Sequence, residues 1–234
     1  MGNKNDVSGG RKLWEIINPF IFIMVCIIAG TMIGTVAAMM IASAVNKTIY
    51  EIYDIYIKAT LIAEMASFAA VIIIKRKAVI YDKFKYEHKP NCWPIYKIIL
   101  GIVAGVAYSM LINILIALSG LHQLFPSYDN TASVQFSGQP IALLIITVVI
   151  LGPIAEEIIF RWMIFGRIRY YFDSRWAILL SGLMFGIYHM NMVQFVFATL
   201  LGFGFAYLYD KSGNIYITVI AHMIINMIGI TGYF

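Results

Sequence analysis

The sequence predicts an all-α protein, a polytopic transmembrane helical bundle of about seven spans, and three observations predict it. Of the 234 residues, 61% are hydrophobic and only 12% charged, against roughly 25% charged in an ordinary soluble domain. Apolar runs close to the ~20 residues needed to cross a bilayer recur along the whole length. The basic residues sit beside those runs rather than in one patch, so the net charge of +5 reports membrane topology and argues against nucleic acid as a partner. One membrane-embedded unit over residues 1–234 accounts for the chain, with its chemistry expected in about residues 140–230.

The first run, Phe20–Ala44, follows Arg11 and Lys12 and ends in Ala42, Ser43 and Ala44, which superficially resembles a cleavable signal. Its apolar stretch is too long for an h-region of about 7–15 residues, and a retained anchor is expected. Ile57–Ile74 is the second span and carries Glu64. Between it and the third span, Ile98–Leu118, lies YDKFKYEHKPNCWPIYK. Its interleaved cations and aromatic rings fit a belt resting on anionic headgroups, ahead of a site for an acidic peptide. Cys26 and Cys92 fall in different environments without metal-ligand spacing and are expected as free thiols. Ile141–Phe165 ends in the charged EEIIFR, Trp176–Met190 and Val193–Tyr209 are joined only by MNM, and Ile215–Ile230 closes the series. With a cytoplasmic N-terminus, every Lys and Arg except Lys47 and Lys58 falls on the inner side, the pattern of the positive-inside rule.

Ionisable residues within the spans carry the functional argument, because each costs at least ~2.5–3.5 kcal/mol at a helix centre and normally faces a partner or a cavity. Glu157 and Arg161 are four apart, on one helical face and in the favourable order for a pair. Glu156 points about 100° away and has no intrahelical partner. Pro153, a turn earlier, removes a backbone donor and is expected to open space beside it. The same four-residue spacing relates Phe185 to His189 and His222 to Asn226. Taken singly, a buried His is more often a satisfied core residue, and Glu64 reads first as a structural hydrogen-bonder. Counted inward at ~1.5 Å per residue from Arg167, Arg175 and Lys211, however, Glu156 lies about 16 Å deep, His189 about 21 Å and His222 about 16 Å.

A carboxylate and two imidazoles at matching depth are the residue set for activating water: Glu takes the proton, while the imidazoles hold a metal or polarise the nucleophile. Asn226 is placed to donate to a developing oxyanion. There is no H-E-x-x-H helix, no G-x-S-x-G turn and no G-x-G-D segment. An ion-coupled transporter would also keep buried carboxylates and His, and a non-catalytic scaffold or immunity protein would keep them for packing.

Together, E-E-x-x-x-R (Glu156, Glu157, Arg161), F-x-x-x-H (Phe185, His189) and H-x-x-x-N (His222, Asn226), in this order on separate late spans, resemble the CAAX protease and bacteriocin-processing family of intramembrane endopeptidases. That family includes the type II CAAX prenyl endopeptidases and the Abi proteins. The resemblance implies that Glu156 and His189 activate the attacking water, that His222 and Asn226 support the site and the oxyanion, and that Glu157, Arg161 and Phe185 are structural. It leaves open two cofactor readings, zinc on His189 and His222 with Glu156 or Glu157, or a metal-free Glu/His mechanism, and it makes eight spans the alternative to seven. The implied substrate is a peptide or lipidated peptide entering from the bilayer, either a prenylated CAAX terminus or a bacteriocin or signalling-peptide precursor, cut at a site open to the cytoplasmic side.

Overall fold

The computed structural model describes residues 8–48, 51–81, 93–125, 133 and 135–232. Seven principal helices run through them: α1 (Gly9–Ala44), α2 (Tyr53–Tyr81), α3 (Ile95–Ser119), α4 (Ile141–Tyr171), α5 (Ser174–Tyr188), α6 (Met192–Ser212) and α7 (Ile215–Thr231). Five of these, all but α5 and α7, are long and apolar enough to cross a membrane. The described residues contain no strand. Residues 82–92, including Cys92 and most of the basic aromatic segment, lie outside the described set, while Cys26 is a free thiol packed beside the main core.

Helix ends extend past the apolar runs, because charged and polar residues continue the helices beyond the span. Contacts between those ends fix which lie on one face of the bundle. Arg167, near the end of α4, donates to the Glu15 carbonyl at 2.6 Å and to Asn18 Oδ1 at 3.0 Å, near the start of α1. Lys75 of α2 lies over the Phe22 ring, and Arg169 of α4 is 3.8 Å from Asp210 near the end of α6. The starts of α1, α5 and α7 therefore share a face with the ends of α2, α4 and α6, as seven alternating helices require.

Small residues set the closest packing, as expected where lipid offers no hydrophobic drive and backbones must approach. Gly30 and Gly34 of α1 abut Ala63, Ser67, Ala59 and Thr60 of α2, and Gly182 and Gly186 of α5 abut Phe203 and Thr199 of α6. At Gly186 a Cβ would fall 2.7 Å from the Phe195 carbonyl. α4 occupies the middle of the bundle, touching α1, α2, α5, α6 and α7, while α3 covers α6 and α7. Its neighbours meet it through the buried side chains of Ile159, Phe160, Ile164 and Phe165.

Two features of α4 are absent from a simple helical reading. Over Ile145–Leu151 and again over Ile158–Phe165 the helix widens into π-helical turns, flanking the α-helical Gly152–Glu157; such turns recur at functional sites. In the wide register Gly152 N–H donates to the Thr147 carbonyl, five residues back. Residue 153 would then donate to Val148, but Pro153 has no N–H. The Asn226 amide of α7 donates to the Val148 carbonyl instead, at 2.9 Å. The same solution serves Pro19 inside α1, whose missing donor frees the Glu15 carbonyl for Arg167.

Candidate active site

Glu156 stands at the midpoint of α4, and it and Glu157 take different surroundings. Glu157 is fully buried: Oε2 accepts from Arg161 Nε at 3.0 Å, and Oε1 lies 3.2 Å from His222 Nδ1. Glu156, 7% exposed, faces a cavity of about 440 Å³, a volume within the range of small-molecule and peptide side-chain sites. Its Oε2 lies 3.6 Å from His222 Nε2. One imidazole thus stands between the two carboxylates, a link that spacing along α4 does not reveal.

Arg161 is completely buried, so it serves this cluster and is not an inner-surface charge that sets topology. Its guanidinium lies 4.8 Å from the Phe185 ring and 5.7 Å from the Phe205 ring, placing two electron-rich faces against a charge that water does not reach. With Arg161 matched to Glu157, the cluster of two carboxylates and one guanidinium carries one uncompensated negative charge. A single proton on either Glu156 or His222 neutralises it, and a low-dielectric interior favours that neutral total.

His189 ends α5. Its Nδ1 is 2.9 Å from the Phe185 carbonyl; a carbonyl only accepts, so Nδ1 carries the hydrogen and Nε2 keeps the lone pair. The next residue, Met190, adopts φ 51°, the left-handed region, and Asn191 Oδ1 accepts from the Val193 and Gln194 N–H groups to start α6. This closes the tight MNM connection. At ~1.5 Å per residue the 15 residues of α5 span about 22 Å, short of the ~30 Å hydrocarbon thickness. Irregular backbone at such depth is tolerated where it lines a cavity, and His189 and Met190 both line this one.

Phe185 touches both imidazoles, 5.0 Å from His189 and 5.8 Å from His222 by ring centroids, edge-on to both. The structure brings Glu156 and His222 into near contact and sets His189 against the same aromatic ring as His222. Asn226 lines the cavity too, with one amide N–H engaged by Val148. Tyr188, which sequence reasoning passed over, presents its hydroxyl to Glu156 and packs 5.5 Å from Phe160. Its position beside His189 in FGIYH was the available signal. Glu64 also lines the cavity, and among the described residues no hydrogen bond or ion pair joins it to a partner.

The donors fit zinc poorly. Among the described residues no three His, Cys, Asp or Glu groups are placed to share a metal ion, whereas structural and catalytic zinc sites need three or four converging ligands.

Residues 138–228 match the family described as type II CAAX prenyl endopeptidase Rce1-like. The chain is also similar to a Bacillus subtilis (strain 168) protein named "Putative membrane peptidase YdiL", 38% identical over 98 residues that make up 42% of this chain and 40% of that protein. The match thus spans less than half the length of that relative. No solved structure matches the chain significantly.

Proposed function

We propose, from the match of residues 138–228 to the Rce1-like family and from the geometry of the site, that the chain is an intramembrane endopeptidase that hydrolyses a peptide bond with water activated by Glu156 and the two histidines. The observation that carries the reading is the Glu156–His222–Glu157–Arg161 chain of contacts opening on one side into the cavity. Glu156 removes a proton from water as the oxygen attacks the substrate carbonyl carbon. His189 Nε2, the only imidazole nitrogen here without a protein acceptor or carboxylate, takes a hydrogen bond from that water and orients it. The free N–H of the Asn226 amide supplies a donor for the oxyanion, and the Tyr188 hydroxyl steadies Glu156. As the C–N bond breaks, Glu156 returns its proton to the departing amine nitrogen, and the new acid gives up its remaining proton to solvent. His222 holds the compensating charge between the two carboxylates, and Glu157 with Arg161 fixes His222 in place.

The substrate is a membrane-associated peptide or lipidated peptide, of the prenylated CAAX kind or a bacteriocin or signalling-peptide precursor, entering sideways from lipid. With the N-terminus cytoplasmic, the face bearing Arg167, Arg169 and Arg175 is the inner one, and product leaves on that side. The test is cleavage of quenched, lipid-anchored peptides by purified protein in nanodiscs. Glu156→Gln is expected to abolish turnover while preserving a monodisperse, folded protein. Turnover that persists in Glu156→Gln refutes the mechanism, and a wild-type protein that binds such peptides without cutting them favours a scaffold.

A further inference from the structure

The cavity holds a second carboxylate with no role in that mechanism. Glu64 lies on the face of α2 that presents Leu61 and Phe68 to α4. A Cβ on Gly152 would touch the Phe68 ring at 3.4 Å, which places this stretch of α2 against α4 about one turn before Glu156. The two helices run in the same direction. Counting along them at ~1.5 Å per residue, four residues back from Phe68 and four on from Gly152, puts Glu64 about 12 Å from Glu156 along the bundle axis, with its charge still acting on Glu156 and Tyr188. An extended peptide advances ~3.3–3.6 Å per residue, so that offset corresponds to about three to four substrate residues.

The polar groups that line the cavity with Glu64 are the Ser109 and Tyr188 hydroxyls, the Asn113, Gln135, Gln194 and Asn226 amides and the ionisable Glu156, His189 and His222, and no Lys or Arg is among its described lining residues. The remaining wall is apolar, with Met24, Ile28 and Ile116 among it. An intramembrane carboxylate without a protein partner is costly and normally marks a ligand pathway. A substrate nitrogen cation is the group that compensates it, because neutral donors are already present and leave its charge unmatched.

Resting on the endopeptidase reading, we propose that Glu64 is a specificity-determining residue that binds a cationic nitrogen of the substrate, from a Lys or Arg side chain or a free α-amine, about three to four residues from the bond cut at Glu156. The carboxylate accepts charge-assisted hydrogen bonds from that cation and excludes peptides with an acidic side chain at the same place.

The test profiles cleavage of a mixed peptide library by the full chain in nanodiscs, with products read by mass spectrometry, for wild type, Glu64→Gln and Glu156→Gln. Wild type is expected to favour Lys or Arg about three to four residues from the cut. Glu64→Gln is expected to lower the ratio of cleavage rates for basic over neutral peptides about tenfold to hundredfold. A wild-type comparison of Lys peptides with their acetyl-lysine counterparts reads the same preference without any variant, should Glu64→Gln fold poorly. Acetylating every peptide N-terminus separates the sources: a preference that survives assigns the side chain, and one that vanishes assigns the α-amine. Cleavage without a basic preference, or a preference retained in Glu64→Gln, overturns the proposal and leaves the endopeptidase reading standing. Absence of Glu156-dependent cleavage by wild type overturns both.

Discussion

Replacing Asn226 by Leu removes the donor that Val148 receives in place of the proline N–H while nearly keeping the volume. Two magnitudes bound the effect. A buried carbonyl left without a donor costs about 1–3 kcal/mol, and polar contacts between transmembrane helices average about 0.6 kcal/mol, with a maximum near 1.7. An expected loss of about 1–1.5 kcal/mol satisfies both. The structure also specifies a rescue. Pro153→Ala restores an N–H at the position from which the wide register of α4 donates to Val148, so the loss in Asn226→Leu should shrink by about 1 kcal/mol in that background, a coupling large enough to measure. The assay is a double-mutant cycle by reversible denaturation in mixed micelles, with peptide cleavage followed in parallel. Strictly additive costs refute the claim that Asn226 substitutes for the missing N–H. Stability regained without activity assigns the second amide N–H to the oxyanion.

Glu157→Gln is expected to lower folded yield and thermal stability together with activity, by about 3–5 kcal/mol, because it strands the Arg161 charge in the interior; thermal unfolding that matches wild type contradicts this. Metal analysis of purified protein should find well below one equivalent of zinc, with cleavage unaffected by strong chelators; a full equivalent that is lost in His189→Ala would overturn the geometric argument. Gly186→Ala should separate α5 from α6, since its Cβ would meet the Phe195 backbone carbonyl at 2.7 Å, giving a loss of about 1–3 kcal/mol and slower cleavage through displacement of His189. Unchanged stability in Gly186→Ala would mean that the two helices are less tightly held than the structure shows.

The bundle was legible because bilayer thickness dictates run length, and every expected span coincides with a helix. The Glu157–Arg161 pair was legible from spacing alone, since a four-residue separation puts both side chains on one face. Depth counting brought Glu156 and His222 to one level, and they lie 3.6 Å apart. What escaped was tertiary or registral. No periodicity along α4 tells that His222 bridges both glutamates. Hydrophobic pattern does not separate π-helical from α-helical turns when every face of the helix is apolar. Pro153 did announce a missing donor; the carbonyl it orphans, and hence the contact of Asn226 with Val148, follows only once the register is known. The positive-inside count placed Arg161 among the inner-side cations, whereas burial against two aromatic rings keeps it inside the bundle.

The length of α5 acts as a ruler. Asp173 caps its first turn beside the charged end of α4, and His189 sits at the other end, so 15 residues of helix fix the distance from the membrane face to the imidazole at about 22 Å. A tail dipping in from that face must thread about six to seven extended residues, at ~3.3–3.6 Å each, before its peptide bond reaches the histidine. Under the endopeptidase reading, the enzyme selects bonds by how far a chain can be drawn into the bilayer, and lengthening α5 by one turn would move the cut by one to two residues without altering a single group that performs it.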